Sequence, residues 1–286
     1  MNNKHLISQI KNHKSHTFSN DLFYKIYGSI VKRILKILTK TNKKITLKKS
    51  LFYGRKMIIQ LPEKVSVNIW NNSYHELELT LAMLKFLKNG MTFYDVGAHY
   101  GYFSLLASKL VGQSGKVFAF EPTPTIFKIL KKNLSFLPNT QSHRNVILDD
   151  NKTVYLNDYG AEWSAYNTCS TPRHPALVEK ESKKILTKAI SIDNFSSKSR
   201  KPDFIKIDAE SAEFQIISGM KKTLSTKKPI ISMEVGDKVK SKYSSINNIN
   251  EILKYSYKVY ELKDNCFKEH ILKVHYSYTN LIFLTI

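Results

Sequence analysis

Short apolar runs that alternate with helix-like stretches occupy the sequence from Met91 onward. Because parallel strands must be joined by crossover connections, this alternation predicts a doubly wound α/β fold with a mostly parallel sheet and helices on both faces. Two late runs, Tyr257–Leu262 and Leu281–Ile286, are predicted to add a final antiparallel edge pair. The predicted core strands are Thr92–Val96, Val117–Phe120, Ser142–Ile147, Asp203–Asp208 and Pro229–Val235.

Acidic residues stand at the carboxyl ends of four of these runs. Asp95 lies at the end of the first run, Glu121 follows the second, and Asp208 and Glu234 belong to the last two. The carboxyl ends of neighbouring parallel strands meet at one edge of a sheet, which is where ligands bind in open α/β folds. We therefore expect these carboxylates to converge on one pocket.

A glycine-bearing turn, Gly97-Ala98-His99-Tyr100-Gly101, follows the first acidic strand end. Glycines allow a tight turn and a close approach of backbone to ligand, and the helix that follows offers free N–H groups. The pattern differs from the Gly-x-Gly-x-x-Gly of dinucleotide folds, and Asp95 precedes it. A carboxylate there would attract the amine and sulfonium of S-adenosylmethionine, so the turn predicts that cofactor.

The other acidic strand ends carry the predicted chemistry. Glu121 is predicted to accept the ribose hydroxyls of the cofactor. Asp208, Glu210 and Glu213 are close enough to resist simultaneous ionisation unless a cation or a helix N-terminus offsets them. Such a cluster suits a general base or an acceptor for a substrate hydroxyl. Asp208 and Glu210 are therefore the catalytic candidates, with Glu234 as a further one. Glu213 is predicted only to complement the positive N-terminal end of the helix that follows.

Four segments resemble the FkbM family of methyltransferases in their order and spacing. They are FYDVGAHYGYFSLLASKLVG, GKVFAFEPTPTIFKILKKNL, KPDFIKIDAESAE and PIISMEV. The resemblance runs from about His75 to Ile286. It implies the class I methyltransferase, Rossmann-like fold, S-adenosylmethionine as the cofactor, and O-methylation of hydroxyls on sugars and secondary metabolites.

The resemblance also implies cofactor contacts. Glu121 would bind the ribose, and Asn145 or Val146, which close the predicted third strand, would border the adenine. The residues that would line the methionine end are Asp95, Gly97, Ala98, His99 and Gly101.

Two positions depart from the family pattern. The family often has Asn where this chain has His99, which keeps a hydrogen-bonding group and is predicted to be a cofactor-shell donor rather than a catalytic base. The family often has Gly where this chain has Ser211, and Gly tolerates a positive φ that other residues disfavour. The turn after Asp208 could therefore differ from the family, which affects substrate placement more than cofactor binding.

A polar, irregular stretch, Asp149–Lys188, separates predicted core elements, and only Thr153–Leu156 within it resembles a strand. Long insertions of this kind are usually functional. Part of it, Asn157–Arg173, combines aromatic and hydrogen-bonding groups that suit a sugar ring and equally a nucleic-acid base, although a solvated loop with one buried tryptophan is an alternative. The predicted substrate residues are Trp163, Ser164, Tyr166 and Asn167.

Residues 1–50 form a basic extension. Residues 1–64 hold 13 Lys, 2 Arg, 1 Asp and 1 Glu, so they carry +13 of the total net charge of +22. Apolar residues recur at helical spacing from Leu22 to Leu38, with Lys and Arg on the other face, which predicts a basic amphipathic helix over residues 21–40. Such a helix could pack on the domain behind it or lie on an anionic membrane surface.

Residues 51–90 are predicted to lead into a catalytic domain at 91–286. Alternating apolar residues predict a hairpin formed by Met57–Leu61 and Val65–Ile69. Leucines at helical spacing predict a helix over Tyr74–Lys88, which Asn89 and Gly90 would end.

The composition argues against a metal site, a disulfide framework and a membrane-spanning segment. The two cysteines have no metal-ligand or disulfide spacing, and the nine histidines are scattered, so no metal site is predicted. No apolar run is long enough to span a bilayer, and the amino-terminal residues lack an apolar secretion segment. A cytoplasmic location is expected, with residues 21–40 as a possible peripheral contact at the inner face of the membrane.

The sequence thus favours an O-methyltransferase whose partner is a hydroxyl-bearing small molecule or glycan. One alternative is an RNA methyltransferase, which the basic extension favours but which no Asn-Pro-Pro-Tyr-like segment supports, so nucleic acid is the less favoured partner. Another alternative is a non-catalytic module that binds membranes or glycans and retains only the fold.

Overall fold

The computed structural model describes residues 10, 22–41, 43–160, 163–169, 174–237, 244–263 and 266–286. The chain divides into two compact units, which are Met1–Phe86 with Ala161–Ala165, and Leu87–Gly160 with Tyr166–Ile286. Within the described parts of the chain, none of the helices combines the length and the apolar character needed to cross a bilayer.

The first unit contains three helices and one antiparallel strand pair among its described residues. The predicted amphipathic helix is confirmed as a helix, and the predicted helix after residue 74 is present but shorter at both ends. The strands β1 and β2 pair with Ile45 opposite Leu61. The elements are α1 (Leu22–Lys40), β1 (Ile45–Ser50), β2 (Lys56–Leu61), α2 (Lys64–Asn72) and α3 (Leu77–Phe86).

The predicted hairpin is wrong in its second arm, because Val65–Ile69 lies inside α2. Glu63 caps that helix, and its two carboxylate oxygens accept hydrogen bonds of 2.7 Å from the backbone amides of Val65 and Ser66. A side chain that satisfies amides of the first helical turn favours a helix over a strand. The strand β2 pairs instead with β1, which precedes it in the sequence.

The second unit is built on an eight-stranded sheet with the order β12-β11-β13-β10-β9-β3-β4-β5. The strands from β10 to β5 in this order run parallel, which confirms the predicted doubly wound α/β fold. The elements are β3 (Thr92–Val96), α4 (Tyr102–Val111), β4 (Lys116–Phe120), α5 (Pro124–Leu134), β5 (Thr140–His143), β6 (Val146–Leu148), β7 (Lys152–Asp158), β8 (Lys183–Ser191), α6 (Ile192–Ser197), β9 (Phe204–Ile207), α7 (Glu213–Ser218), α8 (Lys221–Thr226), β10 (Ile230–Val235), α9 (Ser245–Leu253), β11 (Tyr257–Lys263), β12 (Cys266–Glu269) and β13 (Thr279–Thr285).

The strand order reverses beside β3, and this reversal positions the site. From β3 the chain proceeds to β4 and β5 on one side, and later to β9 and β10 on the other. Connections therefore leave the neighbouring strands β3 and β9 in opposite directions, and a crevice opens at their carboxyl ends. This arrangement is that of class I, Rossmann-like methyltransferases.

The predicted third strand, Ser142–Ile147, is wrong as a single element. The strand β5 ends at His143, and Val146 begins β6, which pairs with β8 in a separate sheet of order β6-β8-β7. The amide group of Asn145 donates to the carbonyl of Lys188 at 3.3 Å, so the chain has already turned toward β8 there. The strand β8 lies mostly within the stretch that was predicted to be irregular. Its sequence does not alternate between apolar and polar residues, although Thr187, Ala189 and Ser191 are buried on one face.

The last predicted strand does not lie at the edge of the sheet. The strand β13 lies between β10 and β11 and runs antiparallel to both. Its residues Leu281, Ile282 and Phe283 are all buried. A run of consecutive apolar residues is buried on both faces of a sheet, which favours an interior position, and the edge is formed by the short strand β12.

Candidate active site

The predicted glycine turn connects three strand ends within the second unit. The backbone amides of Gly97 and Ala98 donate to the carbonyl of Phe120, at the end of β4, over 3.1 and 2.9 Å. Gly97, His99 and Gly101 have φ values of +74°, +49° and +91°. A Cβ atom on Gly97 would lie 1.9 Å from the carbonyl oxygen of Asp208, just after β9. The turn therefore requires glycine at position 97 both for its backbone conformation and for its contact with β9.

Replacing Gly97 with Ala is expected to destabilise the protein by about 2–5 kcal/mol, since a strained φ and a backbone clash add together. Gly160→Ala is the matched control, because Gly160 has a φ of +83° with nothing within 4 Å of a built Cβ. The control should cost only about 1–2 kcal/mol, from strain alone. Urea unfolding of both variants measures the difference, and equal costs would contradict the close approach of the two strand ends.

Asp95 is buried beneath this turn. Its carboxylate accepts a hydrogen bond of 2.5 Å from the Ser104 hydroxyl on α4, and its other oxygen lies 3.6 Å from the Lys206 ammonium. Burial raises the pKa of Asp95, and the charge of Lys206 and the bond from Ser104 act in the opposite direction. Asp95 has no exposed surface, so it supports the turn from within, and its direct contact with the cofactor stays a prediction.

Lys206 is the site residue that the sequence interpretation missed. Its buried ammonium donates to the carbonyl of Gly97 at 2.9 Å and lies 3.1 Å from the carboxylate of Asp208. The pairing of β3 with β9 sets Lys206 opposite Asp95. The available signal was a single lysine within the apolar strand Phe204–Ile207, since lysines are rarely buried without a charged partner.

The catalytic candidates lie at the ends of β9 and β10. Carboxylate oxygens of Asp208 and Glu234 lie within 4.8 Å of each other, as expected for neighbouring strand ends. Glu210 and Glu234 are buried, whereas the side chain of Asp208 is 24% exposed. Asp208 is therefore the accessible carboxylate of the three.

The turn after Asp208 has left-handed backbone at two consecutive positions that are not glycine. Glu210 has a φ of +46° and Ser211 a φ of +76°. Ser211, at the position where the family often has Gly, thus adopts a conformation that glycine tolerates without strain. The turn is fixed from outside as well, because the Thr168 hydroxyl donates to the carbonyl of Glu210 at 2.5 Å.

Ser211→Gly is expected to stabilise the protein by about 1 kcal/mol, because it relieves the left-handed strain at this turn. For a domain of this size the melting temperature should rise by about 2–4 °C. Ser211→Ala is the control, since it removes the hydroxyl but keeps the Cβ atom and the strain. An equal gain in both variants would show that the hydroxyl, and not the backbone conformation, is the source.

Glu121 lies just beyond β4, where its carboxylate is anchored by backbone amides. One oxygen accepts a hydrogen bond of 3.1 Å from His99, and the other accepts one of 2.9 Å from Thr123. Burial raises the pKa of Glu121 to about 7, although these amides act to lower it. Each oxygen retains further acceptor capacity, so the carboxylate fits a ligand that donates hydrogen bonds from a pair of hydroxyls, as the ribose of S-adenosylmethionine can.

The affinity for S-adenosylmethionine is expected to rise about tenfold between pH 6 and pH 8, because a carboxylate that titrates near 7 becomes a full acceptor as it ionises. The direction follows from the raised pKa, since the protonated form dominates below about 7. Calorimetric titration of cofactor at several pH values measures the effect. Glu121→Gln should bind more weakly and lose this slope, and a slope shared by both proteins would assign it to another group.

The structure does not bring the two predicted adenine residues to the end of a core strand. Asn145 lies two residues beyond β5, and Val146 is buried in the hydrophobic core at the start of β6. The residue that ends β5 is His143, whose ring stacks on Phe120 at 5.4 Å. Any role of Asn145 and Val146 beside the adenine stays a prediction.

The four predicted substrate residues are divided between the two units. Trp163 and Ser164 belong to the first unit, where the Lys64 ammonium lies 3.5 Å from the centre of the Trp163 ring. Tyr166 and Asn167 belong to the second unit. Glu162 and Arg173, from the same predicted segment, lie outside the described residues.

Within the second unit, the end of this segment extends across the carboxyl edge of the sheet. The amide group of Asn167 donates to the Thr123 hydroxyl at 3.1 Å, beside Glu121. The next residue, Thr168, bonds to Glu210 after β9. Asn167 is therefore held between the predicted ribose and catalytic positions, where a substrate residue is expected.

The sequence of the second unit matches a known protein family. Residues 95–261 match the family model described as Methyltransferase FkbM domain, which is more than half of the 286 residues. The chain belongs to the FkbM methyltransferase family. That family is one of S-adenosylmethionine-dependent methyltransferases, the class that the glycine turn and the acidic strand ends predicted. A second family model, described as Protein-L-isoaspartate(D-aspartate) O-methyltransferase (PCMT), matches residues 2–155 of this FkbM-family chain.

Individual proteins share smaller parts with this FkbM-family chain. The protein-L-isoaspartate O-methyltransferase of Methanococcus maripaludis is 35% identical over 95 residues, which are 33% of this chain and 43% of the relative. The chain thus matches less than half of that relative's length. The methyltransferase FkbM structure from Methylobacillus flagellatus KT gives a TM-score of 0.48 at 17% identity, over 76% of this chain and 52% of that one. The structure of Aeropyrum pernix fibrillarin with natively bound S-adenosyl-L-methionine gives a TM-score of 0.43 at 11% sequence identity. The match covers 83% of this chain and 93% of the fibrillarin chain.

Proposed function

We propose that this FkbM-family enzyme transfers a methyl group to a hydroxyl oxygen of a sugar, a glycan or a related small molecule. The observation that carries the proposal is the position of Asp208, the accessible carboxylate at the strand ends, which the buried Lys206 ammonium fixes at 3.1 Å. A carboxylate held in this way is a hydrogen-bond acceptor for a neutral hydroxyl.

The residues of the site have separable tasks in this proposal. The turn at residues 97–101 and Glu121 hold S-adenosylmethionine, which supplies a methyl group on a positively charged sulfonium. The Asp208 carboxylate accepts a hydrogen bond from the substrate hydroxyl, orients a lone pair of that oxygen toward the methyl group and takes up the hydroxyl proton. Orientation and exclusion of water contribute most of the rate gain expected for such a transfer.

A carboxylate acceptor is the second candidate. The match to the isoaspartate methyltransferase model and the relative from Methanococcus maripaludis favour it. The local charge favours the hydroxyl, because the single positive charge of Lys206 is shared between the carboxylates of Asp95 and Asp208. An anionic substrate would approach an excess of negative charge, and like charges at short range repel.

The proposed sugar specificity rests on the segment that extends across the sheet edge. The Asn167 amide nitrogen donates to Thr123 and Asp158, and its oxygen accepts from the backbone amide of Tyr159, so that oxygen keeps one acceptor position for a substrate hydroxyl. Tyr166 adds an aromatic ring that packs against His174 with ring centres 5.2 Å apart. An aromatic face next to an amide suits the apolar face and the hydroxyls of a sugar ring. Trp163 and Ser164, which belong to the first unit, remain further substrate candidates.

The test is methyl transfer from radiolabelled S-adenosylmethionine into separate polysaccharide, lipid and RNA fractions and into a peptide that contains isoaspartate. The product is then exposed to mild alkali, which hydrolyses methyl esters but leaves methyl ethers intact. We expect alkali-stable label in the carbohydrate fraction. Alkali-labile label in the peptide would identify the carboxyl acceptor instead, and label confined to RNA would replace the sugar with a nucleic acid.

A further inference from the structure

The segment of residues 22–62, here called the cationic segment, contains 11 Lys and Arg residues and no Asp or Glu. It comprises α1, β1 and β2 of the first unit. In the described part of α1, the side chains of Arg33, Lys36 and Lys40 are exposed. A concentration of one sign of charge attracts anionic surfaces over several ångströms.

The described side chains of α1 show that part of its apolar stripe is packed and part is not. Leu38 is buried, and Val31 and Leu35 are half-buried, so one face of the helix packs within the protein. Ile34 and Ile37 are 44% and 61% exposed. Packing of α1 on the protein and contact of α1 with a membrane are therefore compatible, because packing leaves an apolar flank of the helix exposed to solvent.

The exposed isoleucines adjoin the cations on the helix surface. Arg33, Lys36, Ile37 and Lys40 follow i, i+3 and i, i+4 spacing, so they share one face. Ile34 precedes Ile37 by three residues and lies between that face and the buried one. An interfacial helix has this arrangement, with aliphatic groups at the headgroup boundary and long cationic side chains directed at the lipid phosphates.

We propose that the flank of α1 formed by Arg33, Ile34, Lys36, Ile37 and Lys40 docks the enzyme on a bilayer rich in anionic lipid. The exposed aliphatic groups favour a bilayer over a nucleic acid, which charge alone would not do. Nonspecific binding of single strands relies on aromatic rings for stacking, and none of the five residues of this flank is aromatic. This inference does not depend on the identity of the methyl acceptor.

The test is cosedimentation of the full chain with phosphatidylcholine vesicles, with and without phosphatidylglycerol. Binding should require phosphatidylglycerol and weaken with added salt. Ile34→Ala with Ile37→Ala should lower the partition coefficient at least about tenfold, because two partly exposed isoleucines lose their burial, while Ala preserves the helix. Lys36→Gln with Lys40→Gln should lower it about 25-fold, at about fivefold for each charge.

Matched controls come from the second unit, where Lys131 and Lys132 are exposed on α5 and Phe136 is 63% exposed. Lys131→Gln with Lys132→Gln, and Phe136→Ala, should leave vesicle binding unchanged. Unaltered binding in the isoleucine variant would overturn the proposal. It would equally be overturned if the chain bound single-stranded RNA but not the anionic vesicles, with the loss confined to the lysine variant.

Discussion

Asp208→Asn is expected to lower the rate of methyl transfer by about 100-fold or more, since general-base assistance contributes roughly 10²–10⁴-fold. The amide is nearly the same size as the carboxylate but cannot take up the hydroxyl proton. Affinity for S-adenosylmethionine should change little, because the contacts assigned to the cofactor come from the turn at residues 97–101 and from Glu121. Initial rates with labelled cofactor and the most active substrate fraction measure the first quantity, and calorimetry measures the second.

The control for this variant is Asp150→Asn, which removes an exposed carboxylate in the loop between β6 and β7. Its rate should equal that of the unaltered enzyme. Full activity of Asp208→Asn would show that Asp208 does not take up the hydroxyl proton. Glu234 would then be the next candidate for that role. A parallel loss of cofactor binding would mean that Asp208 supports the glycine turn rather than the substrate.

Lys206→Met is expected to cost about 3–5 kcal/mol of stability, because removal of one partner leaves a buried charge uncompensated. The ammonium of Lys206 lies 3.6 Å from the Asp95 carboxylate, which has no exposed surface. Met fills a similar volume, so the loss reports the charge and the hydrogen bond to Gly97 more than the packing. Urea unfolding monitored by circular dichroism measures the cost.

A second substitution separates charge from packing in this experiment. Asp95→Asn in the Lys206→Met background should recover part of the lost stability, because a neutral amide is less costly to bury than an unpaired carboxylate. Comparing the double variant with both single variants gives the coupling energy between the two side chains. A coupling energy close to zero would show that Lys206 acts mainly through Asp208 and the carbonyl of Gly97.

The acidic strand ends could be predicted from the sequence because each one follows an apolar run. Runs of this kind fix the carboxyl edge of a parallel sheet, so Asp208 and Glu234 were expected together before their pairing was known. Lys206 could not be found in this way, because its partners are decided by register. Lys206 on β9 lies opposite Asp95 on the neighbouring strand β3, and more than a hundred residues separate these two strands in the sequence.

The failures share a physical cause, which is that local pattern does not report pairing partners. Val65–Ile69 alternates like a strand, yet the Glu63 side chain caps a helix there. Ser142–Ile147 resembles one strand, yet its second half pairs with β8. For the same reason the predicted end of the third strand, at Asn145 and Val146, differs from the observed end of β5 at His143, and the role of these two residues beside the adenine stays a prediction.

The position of β13 affects the order in which this enzyme can be assembled on the ribosome. Residues 230–235 of β10 and 257–263 of β11 emerge before residues 279–285, which lie between them in the finished sheet. During synthesis, the side of β10 that later pairs with β13 is therefore unpaired and can pair with other chains. It includes the backbone of Glu234, whose partner in β13 is Asn280. Nascent protein stalled before residue 279 should consequently aggregate more readily than protein released after it.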